Sequence, residues 1–314
     1  MNAICCRRYG PPETLHFENV PAPEPGPYDV LVRVHSVGVS VSDCVVRSGR
    51  VKPLMWLPFR VFVGFRGPRN PILGLELSGV IEAVGAKVTQ WQPGDAVFAF
   101  TGRRFGAYAE FACLREGGRY MPSDSVIAQK PTNISHAAAA TVPSRAMLAL
   151  QFLDKAGLRP GQRVLIYGAS SGVGVFAVQI ARRAGVEVTG VCGSAHLELL
   201  RSLGADHVHD YTVPDDHDIG TYDVIFDAVG AARQSALKTQ CLAALNPGGK
   251  VVSVDRAVKI SAARLDTVRQ LIEDGTIRPV VDRTYPLQQT ADAHRYVELG
   301  HKAGGVAIEI EPSA

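Results

Sequence analysis

The residues best arranged for chemistry form the run Tyr167-Gly168-Ala169-Ser170-Ser171-Gly172-Val173-Gly174. Small side chains let a backbone approach a pyrophosphate, and a helix opening at the end of such a run adds amide donors and the positive end of its dipole. A glycine-rich string alone is weak, and an ordinary tight turn is the competing reading. The context favours a dinucleotide site: an apolar strand over Arg163 to Tyr167, a helix face over Val173 to Ala184, and a second strand over Val186 to Val191. The end of that second strand bears on the choice of cofactor. An NAD site carries an Asp or Glu about 20 residues past the loop, where it holds the ribose 2′-hydroxyl. Here the strand runs into Cys192-Gly193-Ser194 with no acid, and His196 follows, which predicts NADPH over NADH. Ser194 serves equally as a helix cap. Arg201 is a weaker phosphate candidate, because an arginine on a helix face is commonly just solvated.

Those residues need a frame. Before Pro131 the chain reads as short strands punctuated by Pro and Gly: Val30 to Val34, Leu77 to Val84, and Ala96 to Phe100 after the turn Pro93-Gly94-Asp95. This suggests an antiparallel, barrel-like unit. A helical run from Ser135 to Leu153 follows, then β/α alternation, with further buried strands at Tyr222 to Phe226 and Lys250 to Val254. Alternation of this kind means a parallel sheet covered on both faces. Towards the end, a helix through Leu265 to Ile272 stops at Gly275, another lies between Thr290 and Gly300, and Val306 to Ile310 closes as a strand. The tail is expected to return to the first unit.

Composition narrows the function classes. The chain has 314 residues, 46% apolar and 20% charged, with a formal charge of +3 and no block of like sign. That gives no basis for a nucleic-acid or anionic-membrane partner. Six cysteines form no C-x-x-C pair, so a disulfide scaffold or four-cysteine zinc knuckle is not expected, and thiols of this kind fit a reducing, cytoplasmic compartment. Cys5, Cys6 and Cys113 read as small buried hydrophobes. His16, His35, His136 and His301 are scattered, which suits surface or satisfied core roles. The most apolar stretch, Leu54 to Phe65, is interrupted by Pro58, Arg60 and Gly64 and is too short to span a membrane. Its aromatics suit a lid over a flat apolar substrate or a flap packed on the domain, with membrane contact a third reading.

Taken together, the segments resemble the medium-chain dehydrogenase/reductase superfamily over nearly the whole chain. The marks are Tyr9-Gly10-Pro-Pro-Glu13, Gly38 to Asp43 with Arg47-Ser-Gly49, Gly74-Leu-Glu-Leu-Ser-Gly79 to Gly85, Pro93-Gly-Asp95, the loop at 168–174, Leu203-Gly-Ala-Asp206 and Asp227-Ala-Val-Gly230. In detail the chain is similar to the zinc-independent quinone oxidoreductase branch, near the reticulon-4-interacting-protein-like NADPH oxidoreductases. Arg66 to Pro71 and Pro279 to His301 carry that likeness. The resemblance implies an α/β protein in which a GroES-like β-barrel domain (1–130, completed by 261–314) holds an inserted Rossmann doubly wound parallel sheet domain (131–260). It implies cofactor contacts at Ala169, Ser170, Ser171, Gly172, Val173, Ser194, His196, Tyr211, Val229 and Gly230. The cleft positions it points to are Ser40, Asp43 and Arg47.

Departures from the superfamily pattern are informative. Ser40 and Leu75 stand where zinc alcohol dehydrogenases carry Cys and His, so no zinc is expected. Leu148 replaces a common threonine beside the nicotinamide. Only about ten residues separate the strand at Lys250 to Val254 from the helix near Leu265, which removes an edge strand that commonly pairs subunits and points to a monomer or an atypical homodimer. The expected reaction is metal-free hydride transfer from NADPH to a quinone or α,β-unsaturated carbonyl, whose conjugation spreads the arriving charge. Ser40 would hydrogen-bond the substrate carbonyl; Asp43 would orient the loop or pair with Arg47. A non-catalytic NADPH-binding sensor or structural protein, and an alcohol dehydrogenase, are the competing readings.

Overall fold

The computed structural model describes residues 1–116, 125–213, 219–232, 234–256 and 260–311. Its first sheet is organised by the long strand Asp29–Val39, in which Val30, Val32 and Val34 point inward and Arg33 outward. This strand pairs antiparallel with Glu76–Val84, with Phe111–Arg115 and with the terminal strand Gly305–Glu309. Ala96–Phe100 and Val126–Gln129 extend one side, and Val281–Pro286 extends the other by pairing parallel to Gly305–Glu309. Two register shifts along Asp29–Val39 bend it, so one strand serves partners on both sides of a curved sheet.

The second sheet is parallel throughout, in the order His207–Asp210, Glu187–Cys192, Arg163–Tyr167, Tyr222–Asp227, Leu245–Ser253. Both faces are covered, which is why Val164, Leu165 and Ile166 are all fully buried in succession. Helices Pro143–Ala156 and Gly174–Arg183 pack on one face, and Leu237, Cys241 and Leu242 from Ala236–Ala243 join the cluster on the other. The helical run expected from Ser135 is two helices, His136–Ala140 and Pro143–Ala156. Pro143 lacks an N–H and opens the second one at its first position.

After the expected boundary at residue 261 the tail runs along both units. Leu265, Val268 and Ile272 of helix Ala262–Glu273 share a core cluster with helix Pro143–Ala156 and the parallel sheet, while the helix also packs against strand Val126–Gln129 of the first sheet, and Val281–Pro286 then pairs into that sheet. Leu245–Ser253 stands at an edge of the parallel sheet. The shortened stretch after it includes residues 257–259, which lie outside the described residues. The apolar stretch at 54–65 is largely a helix, Pro53–Val63, none of whose residues is fully buried and whose Phe59 and Arg60 lie against Tyr9. Cys5 and Cys6 are buried as expected, whereas Cys113 is only half-buried, and all six cysteines are free.

Candidate functional site

Three loops leave the same edge of the parallel sheet, at the C-terminal ends of neighbouring strands, where α/β folds bind ligands. The loop after Arg163–Tyr167 is built almost wholly from backbone. Gly168 has φ +78° and a Cβ there would fall 2.4 Å from Val229 Cγ1. Its N–H and that of Ala169 both donate to the Val191 carbonyl, at 3.1 and 2.9 Å. Ser171 Oγ accepts from Gly174 N–H at 3.0 Å, starting helix Gly174–Arg183. A Cβ on Gly174 would lie 2.3 Å from the Gly168 carbonyl oxygen, so the loop closes on its helix only with glycine there. The loop after Tyr222–Asp227 is pinned by Asp227, whose Oδ1 accepts from Val229 and Gly230 N–H and whose Oδ2 lies 2.7 Å from the buried Lys238 Nζ. Lys238 also donates to the Gly230 carbonyl at 2.6 Å. Neither Asp227 nor Lys238 was expected to have a structural part; their pairing spans a strand end and the following helix, which spacing does not reveal.

The loop after Glu187–Cys192 corrects the sequence expectation. Ser194 does not cap the turn it opens. Its hydroxyl donates to Asp210 Oδ2 at 2.5 Å and contacts Thr212 Oγ1 at 2.6 Å. An acid is therefore present beside this loop after all, delivered by the neighbouring strand His207–Asp210 rather than by the second strand itself. His196 Nε2 donates to the His301 carbonyl at 2.9 Å. Tyr211 follows Asp210 with its ring against Gly193, half exposed. Arg201 pairs with Glu198 on its own helix and is largely solvated, as expected of it.

Across from these loops stands Arg145, buried in helix Pro143–Ala156. One guanidinium nitrogen pairs with Glu76 Oε2 at 2.6 Å and donates to the Thr141 carbonyl at 2.7 Å; the other donates to the Val39 carbonyl at 2.8 Å. Glu76, itself fully buried, also accepts from Ser144 N–H at 2.6 Å. A Cβ on Gly172 would fall 2.9 Å from Arg145 Cδ, so the arginine's stem touches the glycine-rich loop while its head holds the end of strand Asp29–Val39. The segment Gly300 to Gly305 straps the same region: Gly304 N–H donates to the Ser170 carbonyl at 2.9 Å, beside the His196–His301 contact. Lys302 on that strap donates to the Gly304 carbonyl. Burial and the neighbouring Arg145 push its ammonium down to about 7. The sequence offered no signal for Lys302, because its environment is made by residues 145, 282 and 76.

The expected cleft residues follow Val39. Ser40 caps helix Val41–Ser48 and forms a capping box with Asp43. Its N–H and hydroxyl donate to Asp43 Oδ2 at 2.8 and 2.6 Å, and Asp43 Oδ1 accepts from Leu75 N–H at 3.1 Å. Burial pushes Asp43 up to about 6, against the lowering effect of the Ser40 hydrogen bonds. The expected Asp43–Arg47 pair is not what forms. Arg47, 1% exposed, donates to the Gly10 carbonyl at 3.0 Å and pairs with Glu298. Behind them Tyr108 and His294 share a 2.9 Å hydrogen bond, with burial holding the imidazole down at about 3.

These side chains do not suit zinc. At the two positions where the superfamily's zinc enzymes have ligands stand a hydroxyl, Ser40, and a hydrocarbon, Leu75; Glu76 is committed to Arg145. Cys44 directs Sγ to the His294 carbonyl at 3.8 Å, and burial holds its thiol well above its ordinary range. Among the described residues no cluster of three His, Cys, Asp or Glu side chains is able to hold a metal ion. The glycine-rich edge, in contrast, offers a backbone cradle and a helix N-terminus, features that suit a dinucleotide.

Comparison with known proteins agrees with this geometry. Residues 26–125 match the alcohol dehydrogenase GroES-like domain, and residues 172–280 and 255–308 match models described as zinc-binding dehydrogenase. The mouse protein NAD(P)H oxidoreductase RTN4IP1, mitochondrial, is 30% identical, over 99% of this chain and 89% of that one. The chloroplastic NADPH-dependent alkenal/one oxidoreductase of Arabidopsis thaliana is 30% identical, over 98% and 79%. A solved structure described as an NAD-dependent alcohol dehydrogenase superposes with TM-score 0.83 at 29% identity, covering 99% of this chain and 100% of that one. With a GroES-like sheet, a Rossmann sheet and relatives matched over nearly all of this chain, the chain belongs to the medium-chain dehydrogenase/reductase family of oxidoreductases.

Proposed function

We propose that this protein is an NADPH-dependent reductase of quinones or α,β-unsaturated carbonyls that works without a metal ion. The observation carrying this reading is the meeting of the glycine-rich loop with Arg145 and the end of strand Asp29–Val39, around a donor set unsuited to zinc. When bound, NADPH would supply the hydride. Ala169 to Val173 would receive the pyrophosphate through backbone N–H groups, and Val229 and Gly230 would line the path towards the nicotinamide. Ser194, His196 and Tyr211 would meet the adenosine end. The Asp210 carboxylate beside Ser194 opposes a 2′-phosphate, so preference for NADPH rests on His196, Tyr211 and the likeness to the NADPH-dependent relative.

On the substrate side Ser40 is the group we assign to the carbonyl oxygen. While Asp43 is ionised, the Ser40 proton points at its carboxylate. Protonation of Asp43 reverses that contact and frees the hydroxyl to face the cleft. Asp43 is thus a positioning residue, and Arg47, tied to Gly10 and Glu298, holds the helix from behind. Lys302 is our candidate source of the proton that completes the reduction, since its ammonium loses a proton near neutrality. Leu148, half-buried, leaves its side of the pocket apolar. We further propose a division into 1–130, 131–260 and 261–314, a monomer or atypical homodimer, and a cytoplasmic site, the last supported by six free thiols although the two named relatives are mitochondrial and chloroplastic.

The test is direct. NADPH and NADH are titrated by fluorescence, and quinones, enals and simple alcohols are then screened with and without a chelator. Chelator-insensitive oxidation of NADPH by a conjugated acceptor is expected. Tight NADPH binding without turnover would replace this reading with a non-catalytic binding protein. Oxidation of simple alcohols with NAD, the activity after which the solved relative is named, would replace it with an alcohol dehydrogenase.

A further inference from the structure

The helix Pro53–Val63 is anomalous for a water-facing element. Among the described residues, seven of the thirteen exposed large apolar side chains lie between Leu54 and Phe65, with Leu54 89% and Phe65 60% exposed. The inner side is held rather than loose: Arg60 stacks 4.0 Å over the Tyr9 ring, Phe59 packs 5.7 Å from it, and Tyr9 donates to the Gly64 carbonyl at 2.7 Å. The apolar side chains are therefore presented outward on a fixed platform. Its rim is of one sign. From Cys44 through Leu75 the sequence holds no Asp or Glu, while Arg50, Lys52, Arg66 and Arg69 are all exposed. Arg103, also exposed, stacks 4.8 Å over Phe62 from a neighbouring turn.

An apolar face bearing Trp and Phe, ringed by cations, is the arrangement of a helix lying in a lipid headgroup layer. Eleven residues are too few to cross a bilayer, which leaves an in-plane pose. A second copy is a poorer occupant, because apposing two such helices would bring two cationic rims together. We propose that helix Pro53–Val63 anchors this protein to anionic lipid surfaces. The helix follows directly on the segment carrying Ser40 and Asp43, so docking would bring that end of the molecule to the phase in which apolar acceptors dissolve.

The test needs no turnover. A Trp91→Phe background leaves Trp56 as the only tryptophan. The protein is mixed with vesicles of phosphatidylcholine alone or with about one quarter phosphatidylglycerol. Expected are sedimentation and a blue shift of Trp56 emission with the anionic vesicles only, both reversed by salt. The double variant Leu57→Glu/Phe62→Glu is expected to bind those vesicles at least about tenfold more weakly while titrating NADPH unchanged. Arg66→Glu/Arg69→Glu is expected to weaken binding as well. Absence of binding to the anionic vesicles would overturn the proposal, as would binding that Leu57→Glu/Phe62→Glu leaves intact. So would a dimer in sedimentation velocity that this variant dissociates, since the face would then belong to a second copy.

Discussion

The two halves of the candidate site are made of different material. The cofactor edge is backbone: Gly168, Ala169, Ser171 and Gly174 hold one another through carbonyls, amides and the absence of Cβ atoms. The facing half is side chain: Glu76 with Arg145, Asp43 with Ser40, Arg47 with Glu298, Tyr108 with His294, most of them buried and drawn from far apart in the chain. Backbone construction suits a ligand common to a whole family. Side-chain construction suits a substrate pocket, where chemistry changes by substitution. It also places the stability risk there, since a buried charge that loses its partner is costly.

The contrast is sharpest at Glu76 and Arg145. Glu76→Gln or Arg145→Met is expected to destabilise the protein by about 3–5 kcal/mol, while the double Glu76→Leu/Arg145→Met loses less than the sum. Urea unfolding of all three variants measures this, and additive losses would break the claim of a coupled pair. On the backbone side, Gly174→Val is expected to weaken NADPH binding about 100-fold, roughly 2.7 kcal/mol, by fluorescence titration. Near-normal affinity would show that the loop closes by another route.

The third test is pH. His294 is held neutral in the fold at about 3 against an ordinary 6.5, so the unfolded chain binds the extra proton first and stability falls as pH drops below 6.5. At ~1.4 kcal/mol per pH unit the loss reaches roughly 2 kcal/mol by pH 5. Asp43, shifted upward to about 6, works in the opposite sense below that pH. A His294→Gln variant is therefore expected to show a flatter acid limb than the parent, read as denaturation midpoint against pH.

Lys302→Met probes function with less effect on the fold. If the ammonium supplies the proton, kcat falls as pH rises through about 7 in the parent. The variant loses that dependence along with about tenfold in kcat below it. An unchanged profile would return proton supply to water. The smallest effect is expected from Ser40→Ala, which removes a helix cap worth about 1 kcal/mol. A loss in kcat/KM beyond its loss in stability would support contact with the carbonyl oxygen.

Much of this is legible in the residues themselves. The apolar run Arg163 to Tyr167 reads at its true bounds and the loop at 168–174 at its true place, because periodicity and turn chemistry are set by near neighbours, whereas Val30 to Val34 is only the first half of strand Asp29–Val39. The Ser40–Asp43 cap is equally local, closing over three residues, yet its full set of partners reaches to Leu75. The second strand does end without an acid, as read, but Asp210 reaches Ser194 from the adjacent strand, 16 residues away, which strand order alone decides. Helix Pro53–Val63 reads as apolar, but not as a helix or as exposed, since neither Pro58 nor hydrophobicity tells which way a face will turn.

The sequence by itself thus determined the two kinds of sheet, the glycine-rich loop, and a hydroxyl and a hydrocarbon at Ser40 and Leu75, all properties of residue type at short range. The tertiary structure alone decided that Glu76 belongs to Arg145, that Arg47 turns to Glu298 instead of Asp43, and that Lys302 loses its proton near neutrality. The reason is physical: a charge's partner and its desolvation depend on which strands and helices come to lie side by side, and that is settled only when the whole chain has packed.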